Sequence, residues 1–394
     1  MNKLLAKVLV SLASTLLCLA LVEGFTRLMI TRDADGDQIF RSLRLKPFHA
    51  PIEKTKALLD LYEKNKASTV MTYDSDLGWR PTSRGSNGNI GEFVSTRPNP
   101  EKTPQPGCLR IELFGGSYTR GGPPRSWWRV LDQKLAEKGV RAEVLNFGVA
   151  GYAMDQAYLR WKKDGAAYHP DIVIFGFSAG NMMDNVNVLR LLQNPQTGIP
   201  FTKPRFIFDC GALKLVNSPT VPPGMLLQHV ADLGHWPLLK YEYYYNPADY
   251  QPRWWEASRL LALIAAKRDT RLGWLDERRH YQMDEEPAQL TMKIIGQFRD
   301  DVERSGGKFL VIHLPSAPEL QEYRATGKFS FAGAYQALQQ ITPVIQTEQN
   351  LRDVIGKADP HEFFEDGHYT SSLHASIGAT AADYIAARWG KGGE

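Results

Sequence analysis

Cysteine is scarce in this chain: Cys18, Cys108 and Cys210 are the three among 394 residues, and they form no CxxC. Zinc ribbons and dense disulfide scaffolds are thereby excluded. An excess of one charge is missing too. Lys and Arg number 47 against 43 Asp and Glu, a formal net charge of +4, spread without a basic run, so the footprint of a nucleic-acid binder is absent. Nothing repeats at a fixed period, which excludes solenoids and propellers. There is no GxxxxGK[ST] phosphate loop, no GxGxxG after the first strand-like run and no HExxH. Neither a nucleotide, another cofactor nor a metal is therefore expected.

What remains is an ordinary globular composition, 43% hydrophobic and 23% charged, with a single long apolar run. Residues 4–22 (LLAKVLVSLASTLLCLALV) are interrupted only by Lys7, and as a helix they would reach about 28 Å, close to the hydrocarbon thickness of a bilayer. Lys3 and Lys7 precede the run, which favours a cytoplasmic amino terminus and an exported body. No small-x-small cleavage site follows, and Cys18 lacks the small residue before it that a lipoprotein signal needs. The expectation is an uncleaved signal anchor over residues 1–30, with a cleaved signal as the alternative. The exported body would stand outside the cell's inner membrane, in the periplasm. There Cys108 and Cys210 either pair or remain free thiols.

Residues 31–106 read as a polar lead-in with one amphipathic helical patch near 51–66, then a turn-rich, extended or hairpin-like stretch. Four prolines within 96–107 mark a boundary. The main domain, 107–394, alternates short apolar runs with helical stretches. Strands are expected at 108–114, 141–148, 171–178 and 308–315, and helices at 127–139, 152–168, 290–307 and about 372–387. That rhythm predicts an α/β fold, a parallel sheet with helices on both faces. Residues from about 190 to 289 do not follow it and read as an insertion. Its aromatic-rich stretch 241–255 is read as burying its own rings, against the alternative of an interaction surface or lid.

In a parallel sheet the functional loops gather at the carboxyl ends of the strands. GGSYTRGG (115–122) follows the first strand and would present Ser117 on a tight turn. NFGVAGYAMDQ (146–156) follows the second, where Gly151 lets a backbone N–H face a ligand. SAGNMMDN (178–185) follows the third and supplies Asn181 and Asp184. A nucleophile, a bare N–H and a side-chain amide are what acyl transfer requires. The missing base is found in HEFFEDGH (361–368), where His368 has Asp366 two residues and Glu365 three residues before it.

In that order GGSYT, NFGVAGY, GFSAGN and DGHYTSSLH resemble the four blocks of the SGNH (GDSL-like) hydrolases, named for a Ser, a Gly, an Asn and a His; SDLGWRP upstream is similar to membrane-anchored bacterial members. The resemblance implies a three-layer sandwich with flavodoxin-like topology. It makes Ser117 the nucleophile and His368 the base, and gives the oxyanion hole to Ser117 N–H, Gly151 N–H and the Asn181 amide. Asp366 would orient His368, with Glu365 as the fallback acid. GGS in place of the usual GDS is a departure from the pattern. The implied activity is ester hydrolysis or O-acyl (acetyl) transfer on an acylated carbohydrate or lipid, carbohydrate first, beside a possible membrane-embedded acyltransferase. The competing expectations are a non-catalytic, membrane-anchored assembly or binding protein and a flavodoxin-like nucleotide binder.

Overall fold

In the computed structural model, residues 3–41, 43–65, 71–82, 93–97, 100–122 and 126–390 are described. Helix α1 (Lys3–Met29) carries the apolar run, and none of its apolar window is buried against the rest of the protein. Its length and composition suit a single membrane span or a signal sequence. Three short antiparallel strands follow, β1 (Ile30–Arg32), β2 (Gln38–Phe40) and β3 (Leu43–Leu45). The amphipathic patch is helix α2 (Ile52–Lys64). The turn-rich stretch is a hairpin of β4 (Met71–Asp74) and β5 (Gly78–Pro81); its part over 83–92 lies outside the described residues.

The main sheet begins earlier than the proline-rich segment suggests. Strand β6 (Val94–Ser95) pairs antiparallel with β8 (Ala142–Asn146), so the stretch read as lead-in supplies the sheet's edge. Between them come β7 (Leu109–Gly115), the four-residue helix α3 (Ser117–Arg120) and α4 (Trp127–Glu137). Beyond β8 lie α5 (Met154–Arg160), β9 (Ile172–Phe177), α6 (Gly180–Asp184) and α7 (Arg190–Gln193). The insertion holds a hairpin, β10 (Arg205–Asp209) with β11 (Ala212–Val216), and helices α8 (Pro223–Ala231) and α9 (Arg259–Arg279). Then follow α10 (Glu286–Arg304), β12 (Lys308–His313), α11 (Ala317–Thr326), α12 (Ala332–Ile341), β13 (Val344–Ile345) and α13 (Glu348–Ile355). A small hairpin, β14 (Phe364–Glu365) and β15 (His368–Tyr369), leads into α14 (Ser371–Trp389).

The sheet order is β13-β12-β9-β7-β8-β6, parallel except for β6. Counted along the chain, its parallel strands lie in the order 2-1-3-4-5, the flavodoxin-like arrangement expected. Burial on both faces explains why the strands read as unbroken apolar runs. Along β7 and β9, Ile111, Leu113, Ile172 and Ile174 enter one core with α4 and α14, through Leu131 and Ile377. Phe114, Val173, Phe175 and Phe177 enter the other, with Phe298 of α10. The result is a three-layer sandwich.

The insertion shares a third core with the lead-in: Leu226, Val230 and Trp236 pack with Leu191 and with Leu58 of α2. Of its aromatic-rich stretch, Tyr245 and Tyr250 join this core with their rings tilted 5.2 Å apart, and Tyr244 packs against the core beside α10. Trp254 is the most exposed of the insertion's described aromatics, at 89%. All three cysteines are free thiols.

At the start of α14, His374 is buried and its Nδ1 accepts the Trp127 N–H at 3.3 Å. Burial, helped by the nearby His368 ring, pushes its pKa down to about 4 from 6.5. Between those values the unfolded chain binds a proton that the folded one does not. Stability should therefore fall as pH falls through that window, by on the order of 3 kcal/mol in full. Urea unfolding at pH 7 and pH 5 checks this: the wild type should lose stability on acidification, and His374→Gln should lose clearly less.

Candidate active site

The loops after β7, β8 and β9 meet at the place where the chain's crossovers leave the sheet in opposite directions, the usual ligand position of such a sheet. Ser117, Gly151 and Asn181 line one pocket there, of about 160 Å³, together with Tyr118, Asp184 and Arg190. Ser117 opens α3, one residue beyond the Gly115-Gly116 turn. The turn needs glycine for space. A Cβ at Gly115, which sits at φ +147°, would lie 2.2 Å from Thr119 Oγ1, and one at Gly176 on the neighbouring β9 would lie 2.0 Å from the same atom. The two bare positions let α3 settle onto the strand ends and bring Ser117 over them.

Gly151 takes φ +78°, a conformation that costs a side chain dearly. Its carbonyl accepts Arg190 Nη1 at 3.2 Å, and its N–H has no acceptor among the described residues. Asn181 is oriented by the Ser178 N–H, which donates to its Oδ1 at 3.0 Å. The amide nitrogen is thereby the group left to donate into the pocket. Losing one such donor costs on the order of 10²–10³ in kcat. Asn181→Ala should show a fall of that size in ester turnover with little change in KM.

His368 stands beside this pocket rather than in it. It is exposed, on the β14–β15 hairpin, with its ring 5.8 Å from that of Tyr118, and Ser117 has no hydrogen bond to it among the described residues. Other candidate bases are committed elsewhere. His313 is buried and bound through Nδ1 to Glu348 Oε2 at 3.0 Å, and His374 accepts from Trp127.

Asp366 and Glu365, the two acids expected to orient His368, both lie on this hairpin. The atom on His368 Nδ1 is the main-chain carbonyl oxygen of Asp366, at 2.9 Å, while the residue itself is exposed. Asp366 and Gly367, at φ +49° and +75°, are the two loop residues of a tight hairpin, and Asp-Gly is a favoured pair for that left-handed turn. Glu365 is directly opposite His368 in the ladder, so the two side chains share one face. Asp366→Asn keeps both the turn and the carbonyl and should retain most activity. A drop on the order of 10⁴ in kcat, the size seen when a triad carboxylate is lost, would return the role to the carboxylate.

Three supports of the site have no role assigned by the sequence motifs, although Asn146 opens NFGVAGY. Asn146 Nδ2 donates to Thr119 O at 2.9 Å, and its Oδ1 accepts from Gly148 N–H at 2.8 Å, tying α3 to the loop after β8. Arg190 fixes the Gly151 peptide and lies 3.5 Å from Asp184. Glu319 accepts the Ala179 N–H at 3.0 Å and the Ser316 N–H at 2.6 Å, joining α11 to the start of α6, which carries Asn181. Burial pushes the Glu319 carboxyl above its usual range, and burial together with Glu319 pushes the Tyr118 phenol up to about 12. Only Glu319 left a local signal, the Ser-x-x-Glu capping box at Ser316.

A second, wider cleft of about 730 Å³ shares Tyr118, Ser178 and Gly180 with the pocket and extends to Tyr281, Gln321 and Phe331. Among the described residues no cluster of His, Cys, Asp and Glu is arranged to hold a metal.

No known family profile and no curated protein matches the chain. Among solved structures it is similar to the acetyl xylan esterase AlAXEase, at 11% identity over 70% of this chain and 100% of that one, TM-score 0.39. It is similar also to Axe2, an acetylxylan esterase from Geobacillus stearothermophilus, at 10% identity over 70% and 92%, TM-score 0.38. A third is the lipase/acylhydrolase from Enterococcus faecalis, at 12% identity over 71% and 96%, TM-score 0.37.

Proposed function

We propose that this protein is a serine-dependent ester hydrolase or O-acyltransferase, anchored by α1 and acting outside the cytoplasmic membrane on an acylated envelope polysaccharide. The observation that carries the reading is the convergence of Ser117, the bare Gly151 N–H and the oriented Asn181 amide on one pocket at the strand ends. Ser117 Oγ attacks the acyl carbonyl as its proton passes to His368. The developing oxyanion takes hydrogen bonds from the Ser117 and Gly151 N–H groups and the Asn181 amide. Collapse leaves an acyl-Ser117 and expels the alcohol, protonated by His368, which then activates water or an acceptor hydroxyl. The adjoining cleft supports a substrate larger than a simple ester. Its aromatic rings and polar groups, Tyr118, Tyr281, Phe331 and Gln321, are of the kind that bind sugars.

A second reading, a non-catalytic assembly protein, is favoured by one observation, the absence of a bond between His368 and Ser117. Acetate release from p-nitrophenyl acetate by the full chain in detergent separates the two. A Ser117-dependent rate supports catalysis, and its absence in folded protein supports assembly. Adding a sugar oligomer then resolves the acceptor: acetyl diverted to sugar marks a transferase, and undiminished acetate marks an esterase.

A further inference from the structure

A feature the candidate active site does not use lies where α1 meets the start of α9. Glu23, just past the uncharged part of the apolar run, accepts the Arg259 N–H at 2.9 Å, the Leu260 N–H at 2.8 Å and the Ser258 hydroxyl at 2.8 Å. Arg27, one turn on, donates to Ala257 O at 2.7 Å. The exit of α1 is therefore fastened to the first turn of α9, and residues 257–260 stand level with residues 23–27 of α1.

At that level the surface is unusual. Trp254 is 89% exposed, and on α9 Leu261 and Ile264, three residues apart and so on one face, are 44% and 55% exposed. Leu28 of α1, one residue past that level, is 86% exposed. Arg253, Lys267 and Arg268 flank these apolar groups and are exposed, with no ion pair among the described residues. The neighbouring acids are already engaged. Asp269 pairs with Lys46 at 2.8 Å, and Glu256 is buried and accepts the Arg253 N–H at 2.8 Å. A cleft of about 420 Å³ runs between Arg253, Trp255, Leu261, Ile264 and Arg268. A tryptophan and aliphatic side chains bordered by cations without a carboxylate partner, of which Arg253 lies over the Trp255 ring at 5.9 Å, form the composition that settles at a bilayer interface, with the rings and aliphatics among the headgroups and the cations on phosphate.

We infer that this face, Trp254 with Leu261 and Ile264 of α9 and the cations Arg253, Lys267 and Arg268, lies on the phospholipid surface that α1 enters and holds the catalytic body against the membrane. The inference rests on α1 spanning the bilayer, and its test separates the two. The full chain, with its three cysteines replaced by serine, receives one nitroxide label at Leu12→Cys in α1, at Ile264→Cys on α9 or at Val354→Cys on α13. Each is reconstituted in vesicles of phosphatidylcholine and phosphatidylglycerol. Collision rates are read with oxygen, which concentrates in lipid, and with a nickel chelate, which stays in water. The expected result is an oxygen-to-nickel ratio several-fold higher at positions 12 and 264 than at 354. A ratio at 264 equal to that at 354, with 12 still oxygen-rich, overturns the docked face and leaves the anchor standing. A water-like ratio at 12 overturns the anchor and the docked face together. Ester turnover is read separately, so neither outcome bears on Ser117.

Discussion

Replacing Ser117 by alanine is expected to lower ester turnover by on the order of 10⁴ to 10⁶, the cost of removing a nucleophile that acts as one unit with its base. The same change should leave thermal unfolding nearly where it was. The Ser117 side chain is half-buried and its Oγ makes no hydrogen bond among the described residues, so its loss opens no cavity of consequence and orphans no partner. That separation of activity from stability is what distinguishes a reacting group from a structural one. Asn181→Ala should be milder by orders of magnitude, because the N–H groups of Ser117 and Gly151 would still hold the oxyanion.

The second large effect is one of stability. Lys203 and Asp155 are both fully buried and ion-paired, and Lys203 Nζ also donates to Asp184 O at 3.1 Å. This lysine belongs to the insertion and the aspartate to α5, so the pair fastens the insertion to the sheet domain. Burial pulls the Lys203 ammonium below the ordinary lysine range despite its partner. Lys203→Met would leave the Asp155 carboxylate in the interior without its counter-charge, a loss of about 3–5 kcal/mol. Removing both charges, as Lys203→Met with Asp155→Leu, should recover a large part of that. Urea unfolding of the single and double variants is the check. A single variant within about 0.5 kcal/mol of wild type, the range of neutral surface changes, would show that the pair is not the fastening.

The legible parts of the fold are those with a strong local period. The buried strands β7, β8, β9 and β12 announce themselves as apolar runs of the right length, and the amphipathic α2 and α4 by helical spacing. Strand β6, two residues long, carries no such signal and is defined by its pairing with β8. The insertion was opaque for a different reason. Much of it is short helical turns, and its core is completed by Leu58 of α2, far away in sequence, so no segment of it is apolar enough to stand out. The 316–371 stretch held three helices of ten residues or fewer and three two-residue strands, each too short for its period to stand out.

The site divides in the same way. Ser117, Gly151 and Asn181 were visible because each follows a strand and sits among small residues. The roles of Arg190 and Asn146 were not, since both hold backbone from other loops, and only the folded chain brings those loops together. Asp366 shows how one motif carries two meanings. An Asp beside a His suggests a carboxylate on an imidazole, yet the same Asp-Gly pair is also the signature of a tight hairpin turn. The structure shows the turn, with the Asp366 carbonyl oxygen on His368 Nδ1, and the Asp366→Asn variant decides whether the carboxylate has a part as well.

The most direct test of the central claim is to treat the full chain with a fluorophosphonate, which forms a stable adduct with an activated serine, and to map the adduct by peptide mass spectrometry. The account predicts a single adduct on Ser117, lost in His368→Ala. An adduct on another serine, or none at all in protein shown to be folded, would contradict it.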